Sequence, residues 1–210
     1  SAYYSVGEDT RDLFSKFKIY ESPDFTRYLN KYNVISLDIA SLTGKAGNAA
    51  NMLTYLKQNV LGELKALYPH IVFDSTAPLS VNLAKIYNQT ENQFIVIIDE
   101  WDCLFREYPD DTETQNAYIN FLRDLFKSDE SKSFIVLAYL TGILPIKKYN
   151  NESALNNFDE FTMINPSPLE EYVGFTEDEV KQLCNVHGME FPELKRWYDG
   201  YTLGPEIHIY

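Results

Sequence analysis

The chain has 210 residues, length enough for one large domain or a core with a small appendage. Apolar residues make up 45% and aromatic residues 15%, which supplies a sizeable core and argues against disorder. Thirty-one acids against 18 bases leave a net charge of −13, which disfavours binding to a phosphate backbone, and no apolar run is long enough for a membrane helix. Cys103 and Cys184 are the only cysteines and form no zinc-type spacing, so they read as small buried groups in a reducing compartment. With no signal-peptide pattern at the N-terminus, the expected setting is cytoplasmic.

In chain order, residues 2–6 read as the last turn of a helix stopped at Gly7. A short helix follows around residues 11–17, and another starts at Ser22 with Pro23 in its first turn. Residues 33–39 (NVISLDI) read as a strand. A turn is expected at Gly44-Lys45-Ala46-Gly47. Beyond it an amphipathic helix carries Ala49, Leu53, Leu56, Val60, Leu64 and Leu67 in alternating steps of three and four. Residues 79–88 read as a helix with Leu79, Leu83, Ile86 and Tyr87 inward.

Residues 94–98 (FIVII) are the strongest strand signal. Apolar residues without alternation imply burial on both faces, as in the middle of a parallel sheet. A helix over 113–127 presents Tyr118, Phe121, Leu122, Leu125 and Phe126. Residues 134–140 (FIVLAYL) read as a second buried strand, and 161–164 as a short third one. From Thr176 the pattern is helical only, with a Thr176–Glu179 capping box and a last helix over 192–198 ended by Gly200. Strands alternating with helices imply an α/β fold on a mainly parallel sheet, with a core over 1–170 and a helical lid over 171–210.

The chemistry concentrates in residues 94–102, FIVIIDEWD. In parallel sheets ligands bind beyond the carboxyl ends of the strands, and there this strand runs out into Asp99, Glu100 and Asp102. One carboxylate can hold a hydrated magnesium while its neighbour takes a proton from an attacking water. Four bulky hydrophobics followed by Asp-Glu form the Walker B pattern of nucleotide-hydrolysing sheets. Thr141, after the next strand, is a polar group in position to sense a γ-phosphate, or else part of a plain Thr-Gly turn. A carboxylate-metal nuclease built on Asp99, Glu100 and Asp102 is a weaker reading, because no catalytic Lys accompanies the motif and the charge is −13.

Thr43-Gly44-Lys45-Ala46 fails as a phosphate loop. Ile39 stands where the first glycine belongs, and Ala46 replaces the hydroxyl residue that would ligate magnesium. His70, His187 and His208 share no metal-ligand spacing, and no Gly-x-Ser-x-Gly elbow occurs.

Taken together, NVISLDIAS, FIVIIDEWD, AYLTGILPI, EEYVGFTEDEV and LKRWYDGY resemble the bacterial AAA-ATPase-like family, whose members often carry a restriction-endonuclease-like nuclease domain downstream. The resemblance runs over nearly the whole chain. It implies a three-layer P-loop NTPase-like parallel sheet with ATP and magnesium as ligands. It also implies that Asp99 holds the metal through water, Glu100 activates the hydrolytic water and Thr141 is the sensor. Arg196, in the lid, is a candidate phosphate contact, and Trp197, Tyr198 and Asp199 lie beside it.

In the family the Walker A loop precedes the part corresponding to Ser1. The expectation is therefore a sheet lacking its first strand and a chain without appreciable ATP hydrolysis by itself. The strand over 134–140 would keep an open edge, to be covered by a shift of 161–164 inward or by self-association. The competing expectation is a non-catalytic binding or scaffold module on the same fold.

Overall fold

Three strands pair in parallel in the order β1-β2-β3: Asn33–Asp38, Phe94–Asp99 and Ile135–Leu140. The computed structural model describes residues 1–145, 155–198, 200–203 and 207–209. The chain divides into two units, Ser1–Asn157 and Phe158–Tyr210, and the three-stranded sheet lies in the first. Strands joined by helical crossovers and aligned in parallel make this unit an α/β fold.

Strand β2 is the hydrophobic centre. Phe94, Ile95, Val96 and Ile98 are all buried, although successive side chains point to opposite faces. Both faces must therefore be covered, and that is why the strand tolerates no polar alternation. Each such side chain contributes about 1.5–3 kcal/mol of transfer free energy.

The helices start where short polar side chains can accept from free amides. Asp38 ends β1 and at once caps α3 (Ile39–Ala46), its carboxylate accepting from Ser41 N at 2.9 Å. The turn expected at Gly44–Gly47 is instead the last helical turn. Gly47, in the left-handed region at φ +81°, stops it. Asn48 caps α4 (Ala49–Leu67) through Asn51 N at 2.9 Å. That helix buries Ala49, Met52, Leu56, Val60, Leu61 and Leu64, so the apolar stripe is as expected in its middle, while Leu67 at its end is exposed. Helix α5 (Leu79–Thr90) buries Leu79, Leu83 and Ile86. After β2 come α6 (Cys103–Glu107) and α7 (Thr112–Lys127), the latter capped by Asp111 on Thr114 N at 3.0 Å.

Four further expectations in this unit need correction. Residues 2–4 form a turn, and Ser5 bridges in parallel to Tyr32, so no helix ends there. The helical signal of residues 11–29 resolves into two single turns, α1 (Arg11–Phe14) and α2 (Phe25–Tyr28), with a 3₁₀ turn over Lys18–Glu21. Phe134 closes a helical turn, α8 (Ser131–Phe134), before β3 begins. Finally, β3 is not a buried strand. Val136, Leu137 and Tyr139 are 44%, 40% and 51% exposed, because among the described residues β3 pairs with β2 alone and lies at the sheet edge.

In the second unit, residues 161–164 form no strand; Thr162 and Asn165 close a tight turn on each other. The capping box is present: Glu179 N donates to Thr176 Oγ1, and Thr176 N donates back to the Glu179 carboxylate. Helix α9 (Glu177–His187) buries Val180 and Cys184 and ends at Gly188, which is left-handed at φ +64°. Helix α10 (Phe191–Trp197) packs on it, with Lys181 both on Glu177 at 2.6 Å and 5.3 Å from the centre of the Phe191 ring. The unit is not purely helical: β4 (Tyr201–Leu203) and β5 (Ile207–Ile209) form an antiparallel hairpin, segments too short for a sequence pattern to register.

Candidate functional site

The carboxyl ends of β2 and β3 meet in a corner made by Asp99–Asp102 and Thr141–Leu144. Backbone bonds set it first: Thr141 N donates to Ile98 O at 2.9 Å, and Trp101 N donates to Thr141 O at 3.0 Å. The ladder between the two strands thus continues one step past their regular ends. It brings the side chains at those ends within reach of each other.

Asp99 and Thr141, 42 residues apart, are joined directly: Thr141 Oγ1 donates to Asp99 Oδ1 at 2.5 Å. The same oxygen accepts from the amide of Glu100 at 3.0 Å. The Asp99 side chain is exposed. Its orientation is therefore set from one side, and the rest of the carboxylate faces outward.

Glu100 has φ +52°, in the left-handed region that a residue with a Cβ seldom adopts. This kink turns the chain out of the strand and separates the directions of the two adjacent acids. Glu100 does not point into empty solvent; its Oε2 accepts from Arg106 Nη2 in an ion pair.

Asp102 does not take the place that the carboxylate-metal nuclease reading would give it. Its side chain is completely buried. Its Oδ2 accepts from Arg106 Nε at 3.1 Å, Ile143 N at 3.1 Å and Leu144 N at 2.8 Å. A charge taken out of water needs such partners, and here two backbone amides and a guanidinium supply them. The other oxygen, Oδ1, has no hydrogen-bond partner and lies against Gly142. A Cβ on Gly142 would sit 2.6 Å from that oxygen and 2.6 Å from the Trp101 ring, so only glycine fits. Asp102 is thus the fastening that holds the segment after β3 and, through it, Thr141. Trp101, buried and 5.6 Å from the Phe105 ring centre, backs the corner from inside.

Asp99, Glu100 and Thr141 are therefore brought to one corner. Arg196 is exposed on α10 in the second unit, and Asp199 lies outside the described residues. Gly44 and Lys45 sit in the last turn of α3, a helix rather than a phosphate-cradling loop. Arg106 and Gly142 are the members of the corner that motif reading passed over. The only sequence signals were an Arg four residues after Asp102, the spacing of a helical ion pair, and a Gly directly after the Thr. A cleft of about 580 Å³ runs along β1 beside α4 and includes Asp38 but none of the corner residues. Asp38 is already committed to capping α3.

A hydroxyl and an outward-facing carboxylate are hard oxygen donors. Among the described residues no group of three or more His, Cys, Asp or Glu is gathered to hold a metal. Such a sparse donor set does not fit a cation caged by protein ligands. It fits magnesium, which keeps waters and phosphate oxygens as most of its ligands.

A parallel α/β sheet with an acid pair and a hydroxyl at adjoining carboxyl ends is the architecture of ligand-handling α/β domains. The family model described as Predicted AAA-ATPase matches residues 1–150, and the chain belongs to that family. It contains an AAA-ATPase-like domain. No curated protein matches the chain.

Proposed function

We propose that the corner formed by Asp99, Glu100 and Thr141 is the hydrolysis half of a nucleoside-triphosphate site, with ATP and magnesium as the ligands of the intact protein. The observation that carries this reading is the bond from Thr141 Oγ1 to Asp99 Oδ1 between neighbouring strand ends. Two residues chosen for complementary roles in one reaction are held in contact, and a plain Thr-Gly turn does not require that. Family membership supports the same assignment.

In this reading FIVIIDEWD is the Walker B segment. Asp99 holds magnesium through water; when bound, the metal neutralises charge on phosphate oxygens. Glu100 orients and deprotonates the attacking water. Thr141 contacts the terminal phosphate, and its bond to Asp99 sets the spacing between metal side and phosphate side. Asp102 has no part in ligand binding, because its buried carboxylate is committed to Ile143, Leu144 and Arg106. That commitment removes the third acid on which a carboxylate-metal nuclease would depend.

Positioning and electrostatics carry nearly all of phosphoryl transfer, and this corner supplies both at the water and metal side in this proposal. Calorimetric titration with ATP and magnesium is the test. Heat that disappears in Asp99→Asn supports the nucleotide site, and a silent titration favours a scaffold module. Turnover abolished by Glu100→Gln would overturn the expected inactivity while keeping the site.

A further inference from the structure

Resting on the metal-site reading above, we propose that Arg106 is a built-in counter-cation that latches Glu100, and that Glu100 must leave it before acting beside Asp99. Arg106 is the fixed partner of the pair. Its Nε is bound to Asp102, whose carboxylate is completely buried and is itself held by the amides of Ile143 and Leu144. A guanidinium tied in this way cannot follow a moving carboxylate. Glu100 is the free partner: its side chain is 39% exposed against 26% for Arg106, and it stands at the left-handed kink where β2 ends.

The consequence is a competition for one carboxylate. While Glu100 is paired, Arg106 neutralises it and lowers the negative potential that draws a divalent cation to the corner. When a cation and its ligands arrive at Asp99, Glu100 gains an alternative partner and the latch opens. The fork geometry of Arg lets one side chain serve both acids at once, through Nε and Nη2, which Lys cannot reproduce.

The test uses manganese as a probe for magnesium, its binding to the 210-residue chain followed by electron paramagnetic resonance of the free ion. Arg106→Gln is expected to tighten manganese binding about two- to fivefold, the range of a partly exposed ion pair. Arg106→Lys, which keeps the charge and loses the fork, is expected to fall between. In a Glu100→Gln background the gain from Arg106→Gln is expected to vanish, since the contact is already gone. A gain of equal size in that background would mean that Arg106 acts only as a distant charge, and the latch is overturned.

Unchanged affinity in both Arg106 variants would overturn it as well. Should Arg106→Gln fail to fold, Arg106→Lys and Glu100→Gln carry the same comparison. Asp99→Asn separates the two levels. If it abolishes binding while the Arg106 variants change nothing, the metal site stands and the latch falls. If binding persists in Asp99→Asn, or no form binds at millimolar manganese, the site reading falls and the latch with it.

Discussion

Gly142 is the residue on which the corner depends most simply. It has no room for a side chain, because a Cβ would meet Asp102 Oδ1 and the Trp101 ring at 2.6 Å. Gly142→Ala must therefore displace either the buried carboxylate or the indole, both rigidly held. The expected cost is about 1–3 kcal/mol, the usual range for overpacking a filled site, and it would appear as a lower urea midpoint with unchanged slope. Because Thr141 is the next residue, its contact with Asp99 would loosen as well. An alanine variant as stable as the wild type would show that Asp102 is not fastened as described. Motif reading places Asp102 with the acids of the site, since a carboxylate looks the same in sequence whether it faces a ligand or two backbone amides. Its actual role depends on Ile143 and Leu144, some forty residues away, which no local pattern could connect to it.

At the scale of elements, β2 and α4 were legible because their patterns are long and strict. Continuous burial on both faces requires unbroken hydrophobicity, and a 19-residue amphipathic helix repeats its stripe often enough to be unmistakable. Strand β3 is apolar like β2 and has a different environment. Its residues are half exposed because a neighbour is present on one side only among the described residues, and composition carries no information on neighbours. An uncharged, apolar strand at an edge invites pairing with another chain. The expectation of self-association through this edge is tested with Tyr139→Lys, which places a charge on a side chain already 51% exposed. Sedimentation equilibrium should show mass rising with concentration for the wild type and a monomer for the variant. A wild type that stays monomeric throughout the micromolar range contradicts the expectation.

For the whole molecule, the interior near the corner predicts how stability responds to alkali. Burial pushes the Cys103 thiol up from 9.0 to about 11, with Glu107 adding to the effect. Burial likewise raises Tyr118, whose hydroxyl has no hydrogen-bond partner, with Cys103 and Asp102 contributing. Between pH 9 and about 11 an unfolded chain has lost the thiol proton that the folded chain keeps. Stability therefore falls as pH rises through that window. Thermal unfolding compared at about pH 8 and about pH 10 should show a decline in the wild type that is smaller in Cys103→Ala. An equal decline in both proteins would show that the thiol is not the group responsible.

The sequence by itself determined the α/β class, the central strand, the long helices, the capping box and the acid pair leaving β2. Each rests on periodicity or side-chain chemistry that acts within a few residues. Only the tertiary structure decided that Thr141 touches Asp99, that Arg106 spans Glu100 and Asp102, and that β3 lies at an edge among the described residues. Those facts depend on which segments become neighbours across tens of residues, and burial of the whole core, rather than any local preference, selects them.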